Sequence, residues 1–209
     1  MKVTVIIPAY NEEKYIERTL QAISDAEIVV VCNGCTDKTE DIARKYADTV
    51  IVLKEKGVSR ARNAGAKEAC SERLVFMDAD ILPEKDLFEK IGESRYTVGT
   101  CKVKADSSYL FDRVMMFIKS NIHYLGYCTG LIFCDKDLFE QAGRFEESLS
   151  KKEDGRLLRR ARTLGNFGIV DAYIYNNMRR YRKKGYIRIC LFWIKEYLFP
   201  STKEYESIR

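Results

Sequence analysis

The chain has a single histidine, His123, and no second cysteine pair to match Cys32 and Cys35. A structural zinc centre needs four thiolate or imidazole ligands at set spacings, so none is expected. No uninterrupted apolar run reaches the ~20 residues that a membrane-spanning helix requires. No Gly-x-Gly-x-x-Gly follows the first apolar segment, which disfavours a dinucleotide site. No Gly-x-x-x-x-Gly-Lys-Ser/Thr occurs, which excludes a P-loop. Internal repeats and low-complexity linkers are also missing. Val3 to Ile7 runs straight into Pro8 and polar residues, so the opening does not read as a secretory leader. The cysteine count is seven, an odd number. Cys101, Cys128, Cys134 and Cys190 lie in apolar runs, as reduced thiols of a cytoplasmic protein would. Cys32-Asn33-Gly34-Cys35 follows a strand, where a redox pair could sit, but Asn33-Gly34 is also an ordinary turn pair.

What is present is a soluble globular composition, 46% hydrophobic and 32% charged over 209 residues. That length suggests one domain, perhaps with a small appendage, and can bury a sizeable core. The net charge of +5 is uneven, with Arg179, Arg180, Arg182, Lys183, Lys184 and Arg188 close together.

Apolar β-branched runs at Val3–Ile7, Glu27–Cys32, Thr49–Leu53 and Leu74–Met77 read as buried strands. Between them lie helical stretches. The first carries Ile16, Leu20 and Ile23, with Glu12 and Glu13 expected in its first turn. The next two run from about Lys38 to Tyr46 and from Ser59 to Cys70. Strands that are apolar throughout and alternate with helices imply an α/β fold, a mostly parallel sheet covered on both faces. The second half predicts strands at Tyr96–Val103, Thr129–Cys134 and Gly168–Tyr175. It predicts helices at Tyr109–Tyr124, at Asp137–Ala142 stopping at Gly143, and from Glu153 onward.

The strand at Leu74–Met77 ends in Asp78-Ala79-Asp80. In an open α/β sheet, ligands bind beyond the carboxyl ends of the strands. Two carboxylates there suit Mg²⁺ or Mn²⁺ together with phosphate oxygens. The same residues can also be read as a solvated strand end, with Asp80 capping a helix near Pro83.

Several segments then agree in order with one family. "VTVIIPAYNEEKYIERTL", "VVVCNGCTDKTEDIA", "GVSRARNAGAKEA", "LVFMDAD", "TGLIFCDKDLFEQAGRFEE" and "EDGRLLRRARTLG" resemble the successive motifs of family 2 glycosyltransferases, over roughly residues 1 to 175. The resemblance implies a GT-A fold, Rossmann-like, in a domain of residues 1–178. It implies single transfer of a sugar, with inversion, from a UDP- or GDP-linked donor to a glycan or lipid-linked acceptor hydroxyl, with Mn²⁺ or Mg²⁺ as cofactor. Matched residue by residue, Pro8, Ala9, Tyr10 and Glu12 would line the nucleoside pocket. Arg62 would meet the base or pyrophosphate. Asp78, Ala79 and Asp80 would meet ribose and diphosphate, with Asp80 and Asp78 as metal ligands. Asp154 would be the catalytic base, and Glu153 beside it would raise a carboxyl pKa. Without the resemblance, Glu153-Asp154 reads as two acids at a helix N-terminus.

Two departures stand out. Asn33 falls where the family usually has an Asp that contacts the base, which leaves the base open. The Gln-x-x-Arg-Trp of processive synthases is absent around Trp193, so one transfer is expected rather than polymerisation. A nucleotidyltransferase would want a Gly-rich, Arg-containing loop where Pro8-Ala9-Tyr10 stands. A non-catalytic nucleotide-sugar-binding protein is the other alternative, and intact Asp78, Asp80 and Asp154 argue against it. Residues 179–209 read as a basic tail followed by an amphipathic helix, Tyr186 to Phe199. It is expected either to hold the protein peripherally on the inner face of the cell membrane or to pack on the domain or a second subunit. No nucleic-acid recognition motif accompanies the basic run.

Overall fold

The computed structural model of the protein describes residues 1–121, 130–149 and 152–198. The first half is a run of alternating strands and helices: β1 (Val3–Ala9), α1 (Ile16–Gln21), β2 (Glu27–Asn33), α2 (Thr39–Tyr46), β3 (Thr49–Leu53), α3 (Val58–Glu68) and β4 (Arg73–Met77). Next come β5 (Ile81–Pro83), α4 (Leu87–Glu93), β6 (Val98–Ala105), α5 (Leu110–Asn121), β7 (Leu131–Asp135), α6 (Lys136–Gln141), α7 (Glu153–Leu164), β8 (Phe167–Asn176), α8 (Arg179–Lys184) and α9 (Tyr186–Leu198). The strands form one sheet in the order β3-β2-β1-β4-β7-β6-β8-β5. The β3-β2-β1-β4 half is parallel, β7 runs antiparallel to both β4 and β6, and β8 is parallel to β6. This is the mixed, mostly parallel α/β sheet that the resemblance implied.

Strand alternation sorts the core into two layers. Val3, Val5, Ile7 and Ala9 of β1 face the layer with Ile16, Leu20, Leu87, Ile91 and Met116. Ile6 faces the layer with Ala61, Ala66, Leu157, Leu158 and Ala161. Helices α1, α4 and α5 therefore cover one face, and α3, α6 and α7 the other. Helix α3 lies close on the sheet because Gly65 has no side chain. A Cβ there would come within 2.4 Å of Ile6.

Chain direction switches between β1 and β4: β1 leads outward to β2, whereas β4 lies on its other side. A crevice forms beyond the carboxyl ends of strands at such a point. Tyr10 and Asp78 follow these two ends.

Three expectations need correction. Glu12 and Glu13 precede α1 instead of occupying its first turn. Asn11 takes a left-handed φ of 54°, and the Glu12 N–H donates to Thr39 Oγ1 at 2.7 Å, so the chain bends before the helix begins. Asp80 does not cap a helix at Pro83. It leads into β5, which pairs with β8 at the sheet edge, where a proline costs no ladder bond. The basic run at Arg179–Lys184 is itself the helix α8 and packs against the domain. The expected helix end at Tyr124, the strand start at Thr129, and His123, Cys128 and residues 199–209 lie outside the described residues. The remaining six cysteines are free thiols. Cys32, Cys101 and Cys134 are buried, Cys35 and Cys190 half-buried and Cys70 exposed.

Candidate active site

The β1 loop is tied to the turn after β2. Asn11 Oδ1 accepts from the Thr36 N–H at 2.8 Å, and the Glu13 N–H donates to Asp37 at 3.2 Å. Pro8 still pairs with Val31 within the sheet, and Ala9 is buried beside it. Tyr10 follows at the rim, with the Lys56 ammonium 4.8 Å from its ring centre. Asn33 is buried and uses both ends of its amide on the backbone. It donates to the Ala9 carbonyl at 2.7 Å and accepts from the Gly57 N–H at 3.1 Å. Gly57 immediately precedes α3, so Asn33 fixes the start of the helix that carries Arg62. Cys35 Sγ also donates to the Ala9 carbonyl, at 3.4 Å.

Beyond β4, each aspartate of the Asp-x-Asp pair has its own arginine, and the two arginines come from opposite sides of the site. Arg62 on α3 is almost fully buried. It donates to Asp78 at 3.1 Å, to Glu153 at 3.0 Å and to Asp154 at 2.6 Å. Arg179, the first residue of α8, lies 2.9 Å from Asp80 and 2.8 Å from both oxygens of Glu12. Its guanidinium lies 4.3 Å from the centre of the Tyr15 ring. Between the aspartates, Ala79 is buried and its carbonyl accepts from Thr19 Oγ1 at 2.9 Å. Gly130 closes the floor. Its carbonyl accepts from the Asp78 N–H at 3.1 Å, its φ is +108°, and a Cβ there would lie 2.4 Å from Ile81. Only glycine suits that position.

The electrostatics follow from this packing. Burial pushes the Asp80 carboxyl up to about 6. Arg179 pulls it back down, and Asp78 and Glu12 push it up further. Asp154 is raised well above the usual carboxylate range, first by burial, against Arg62, with Glu153 and Asp78 adding to the rise. The sequence argument assigned that rise to Glu153, but desolvation is the larger cause. A cavity of about 370 Å³ opens beside Arg179, lined by Asn11, Lys14, Tyr15, Asp37 and Lys183.

Ion pairs thus join Arg62 with Asp78, Glu153 and Asp154, and Arg179 with Asp80 and Glu12, with Ala79 between the two aspartates and Pro8, Ala9 and Tyr10 at the end of β1. Asn33 underlies that strand end. Sequence reasoning missed Arg179, which had been grouped with the tail. The available signal was charge balance: Glu12, Asp78 and Asp80 outnumber Arg62, so a second cation was needed. Among the described residues, no three His, Cys, Asp or Glu side chains are grouped closely enough to hold a metal alone. The carboxylates of Asp78 and Asp80 fit a Mg²⁺ or Mn²⁺ ion that takes its remaining oxygens from a bound diphosphate.

Residues 4–94 match the family model described as glycosyl transferase family 2. Among curated relatives, the glycosyltransferase AglE of Haloferax volcanii is 35% identical over 101 residues, 42% of this chain and 33% of that protein. A dolichol-phosphate mannosyltransferase of Pyrococcus furiosus is 39% identical over 105 residues, 45% of this chain and 30% of that protein. The chain spans about a third of the length of these curated relatives. Among solved structures, S. aureus TarS 1-349, in complex with UDP-GlcNAc, superposes with a TM-score of 0.71 at 26% identity. That match covers 86% of this chain and 59% of TarS 1-349. The family model over residues 4–94 and the shared fold over most of the chain support a family 2 glycosyltransferase.

Proposed function

We propose that the protein transfers one sugar, with inversion, from a nucleoside-diphosphate donor to an acceptor hydroxyl. The observation that carries this reading is the Arg62 bridge. One buried guanidinium contacts both the end of β4 and the first turn of α7, which keeps Asp78 and Asp154 within reach of one another. The donor end of such a reaction must bind a diphosphate, and the acceptor end must remove a proton. The relatives' names, and the UDP-GlcNAc bound to TarS, agree with a nucleotide-sugar donor.

The acceptor oxygen attacks the anomeric carbon. The bond to the phosphate oxygen breaks, and its electron pair leaves with the nucleoside diphosphate. Asp154 takes the hydroxyl proton, and its raised proton affinity suits a general base. Arg62 keeps Asp154 and Glu153 in place. Asp80 and Asp78 would hold Mn²⁺ or Mg²⁺, which when bound supplies Lewis-acid stabilisation to the departing diphosphate. Arg179 faces the same charge, and a guanidinium suits phosphate oxygens through paired hydrogen bonds. Pro8, Ala9, Tyr10 and Glu12 border the nucleoside. Asn33 acts from behind them, holding Ala9 and the start of α3.

The test is turnover of a panel of UDP- and GDP-sugars with Mn²⁺, following release of the nucleoside diphosphate with and without glycan or lipid-phosphate acceptors. Release that depends on one donor and on Asp154 supports the reading. Donor binding without turnover under every acceptor makes the protein a binder.

A further inference from the structure

Helix α5 is turned outward. Its buried side chains are Asp112 and Met116, while Leu110, Phe111, Val114, Phe117 and Ile118 are exposed, Leu110 and Phe117 by 67% and 70%. Ile187 and Leu191 of α9 are exposed as well. The two helices are joined. The rings of Phe111 and Tyr186 lie 6.2 Å apart, and buried Asp112 accepts from Arg182 and from the Tyr186 hydroxyl, each at 2.5 Å. Eight of the eleven exposed large hydrophobic side chains among the described residues lie on α5, on Tyr109 just before it, or on α9. Scattered apolar side chains need no explanation, but a concentration of this kind marks an interaction surface.

Charge selects the partner. Leaving out Arg179, held by Asp80 and Glu12, and Arg182, held by Asp112, helices α5 and α8 and residues 186–192 carry six Lys or Arg, and their one acid is the buried Asp112. A second copy of the chain would set two cationic surfaces against each other. Residues 199–209 carry two bases and two acids, so they offer no complement. An anionic bilayer complements both features: its head groups take the cations, and its acyl boundary takes the apolar side chains. No described helix is long and apolar enough to cross a membrane, so the contact is peripheral.

We propose that α5 and the first two turns of α9 form a plate that seats the protein on an anionic lipid surface. The plate adjoins the crevice at both ends. Lys119 of α5 acts electrostatically on Asp154, and α8, which leads into α9, begins with Arg179 on Asp80. A hydroxyl or phosphate in the head-group layer would therefore be presented near the proposed base. That consequence rests on the transfer reading, whereas lipid binding itself does not.

The test is co-sedimentation of the full chain with phosphatidylglycerol vesicles and with phosphatidylcholine vesicles, without donor or metal. Binding at least tenfold tighter to phosphatidylglycerol is expected, weakening as salt screens the charge. The double variant Leu110→Ser/Phe117→Ser should bind at least tenfold more weakly at an unchanged melting temperature, since both side chains are exposed. Failure of the unaltered chain to sediment with phosphatidylglycerol overturns the proposal. So does a variant that binds normally, which would leave the basic residues as the whole attraction. A dimer in light scattering that the double variant splits would assign the surface to a second copy. Donor turnover is measured separately, so failure of the transfer reading leaves the lipid result standing.

Discussion

The two arginines of the site are built differently. Arg62 comes from the middle of α3, 16 residues before Asp78, on a helix seated against β1 through Gly65. It joins acids from two elements and is 5% exposed. Arg179 comes from beyond the last strand, 167 residues after Glu12, and its side chain is 18% exposed. Of its partners, Asp80 is proposed to meet the metal and diphosphate, and Glu12 to border the nucleoside. Arg62 is thus a buried cation inside the framework. Arg179 is a counter-ion supplied by the start of α8, proposed to exchange its carboxylates for phosphate oxygens.

Removing the charge at Asp80 should sharpen this contrast most. Asp80→Asn keeps the shape, leaves Arg179 on Glu12 and should abolish Mn²⁺-dependent binding of a nucleoside diphosphate without changing the fold. Calorimetric titration of the variant checks it, and unchanged metal-dependent affinity would remove Asp80 from the role. On the Arg62 side, Asp154→Asn should lower kcat by about 10²-fold or more with donor affinity little altered. Near-normal turnover would move the base to Glu153 or another group.

Arg179→Ala should weaken nucleoside diphosphate binding by roughly tenfold or more, the order expected for one charge-assisted contact. The variant also leaves Glu12 and Asp80 without their counter-ion, so the melting temperature is followed alongside binding. A variant that binds normally but melts early would make Arg179 a structural tie. The smallest expected effect concerns pH. With its carboxyl raised to about 6, Asp80 holds a proton more strongly in the fold than in the unfolded chain. Its contribution to stability is complete below the ordinary carboxylate pKa and is lost as pH rises through about 6. The proton also competes with the metal, so Mn²⁺ affinity should fall by about tenfold per unit below pH 6 and level off above it. Titrations at pH 5, 6 and 7 would show this slope, and a flat profile would break the assignment.

The N-terminal half was legible because parallel strands buried on both faces are apolar along their whole length. Strand β3 has the predicted limits, and β1, β2 and β4 differ from theirs by one or two residues. Strand β5 was not legible, being three residues long and ending in Pro83. Helix α4 is short and begins at Leu87, later than the helix near Pro83 that the sequence offered. In the site, Arg62 could be placed because its motif is local. Arg179 could not, since nothing near it in sequence reports that the chain returns to Glu12. Clustered bases ordinarily read as a solvated face, yet here the first of them reaches the crevice and Arg182 reaches buried Asp112. Helix α5 misled in the opposite sense. Its many apolar residues gave no sign of which way they point, and only the fold shows that most of them face outward.

The amide of Asn33 makes the β1 wall of the site sensitive to the exchange of one nitrogen for oxygen. Its nitrogen faces one carbonyl and its oxygen one N–H, so the two ends are not interchangeable. Aspartate at this position would set a carboxylate oxygen against the Ala9 carbonyl at 2.7 Å, acceptor against acceptor. Asn33→Asp would therefore strain the junction of β1 with α3, and one substitution would loosen both the rim at Ala9 and the start of the helix that carries Arg62.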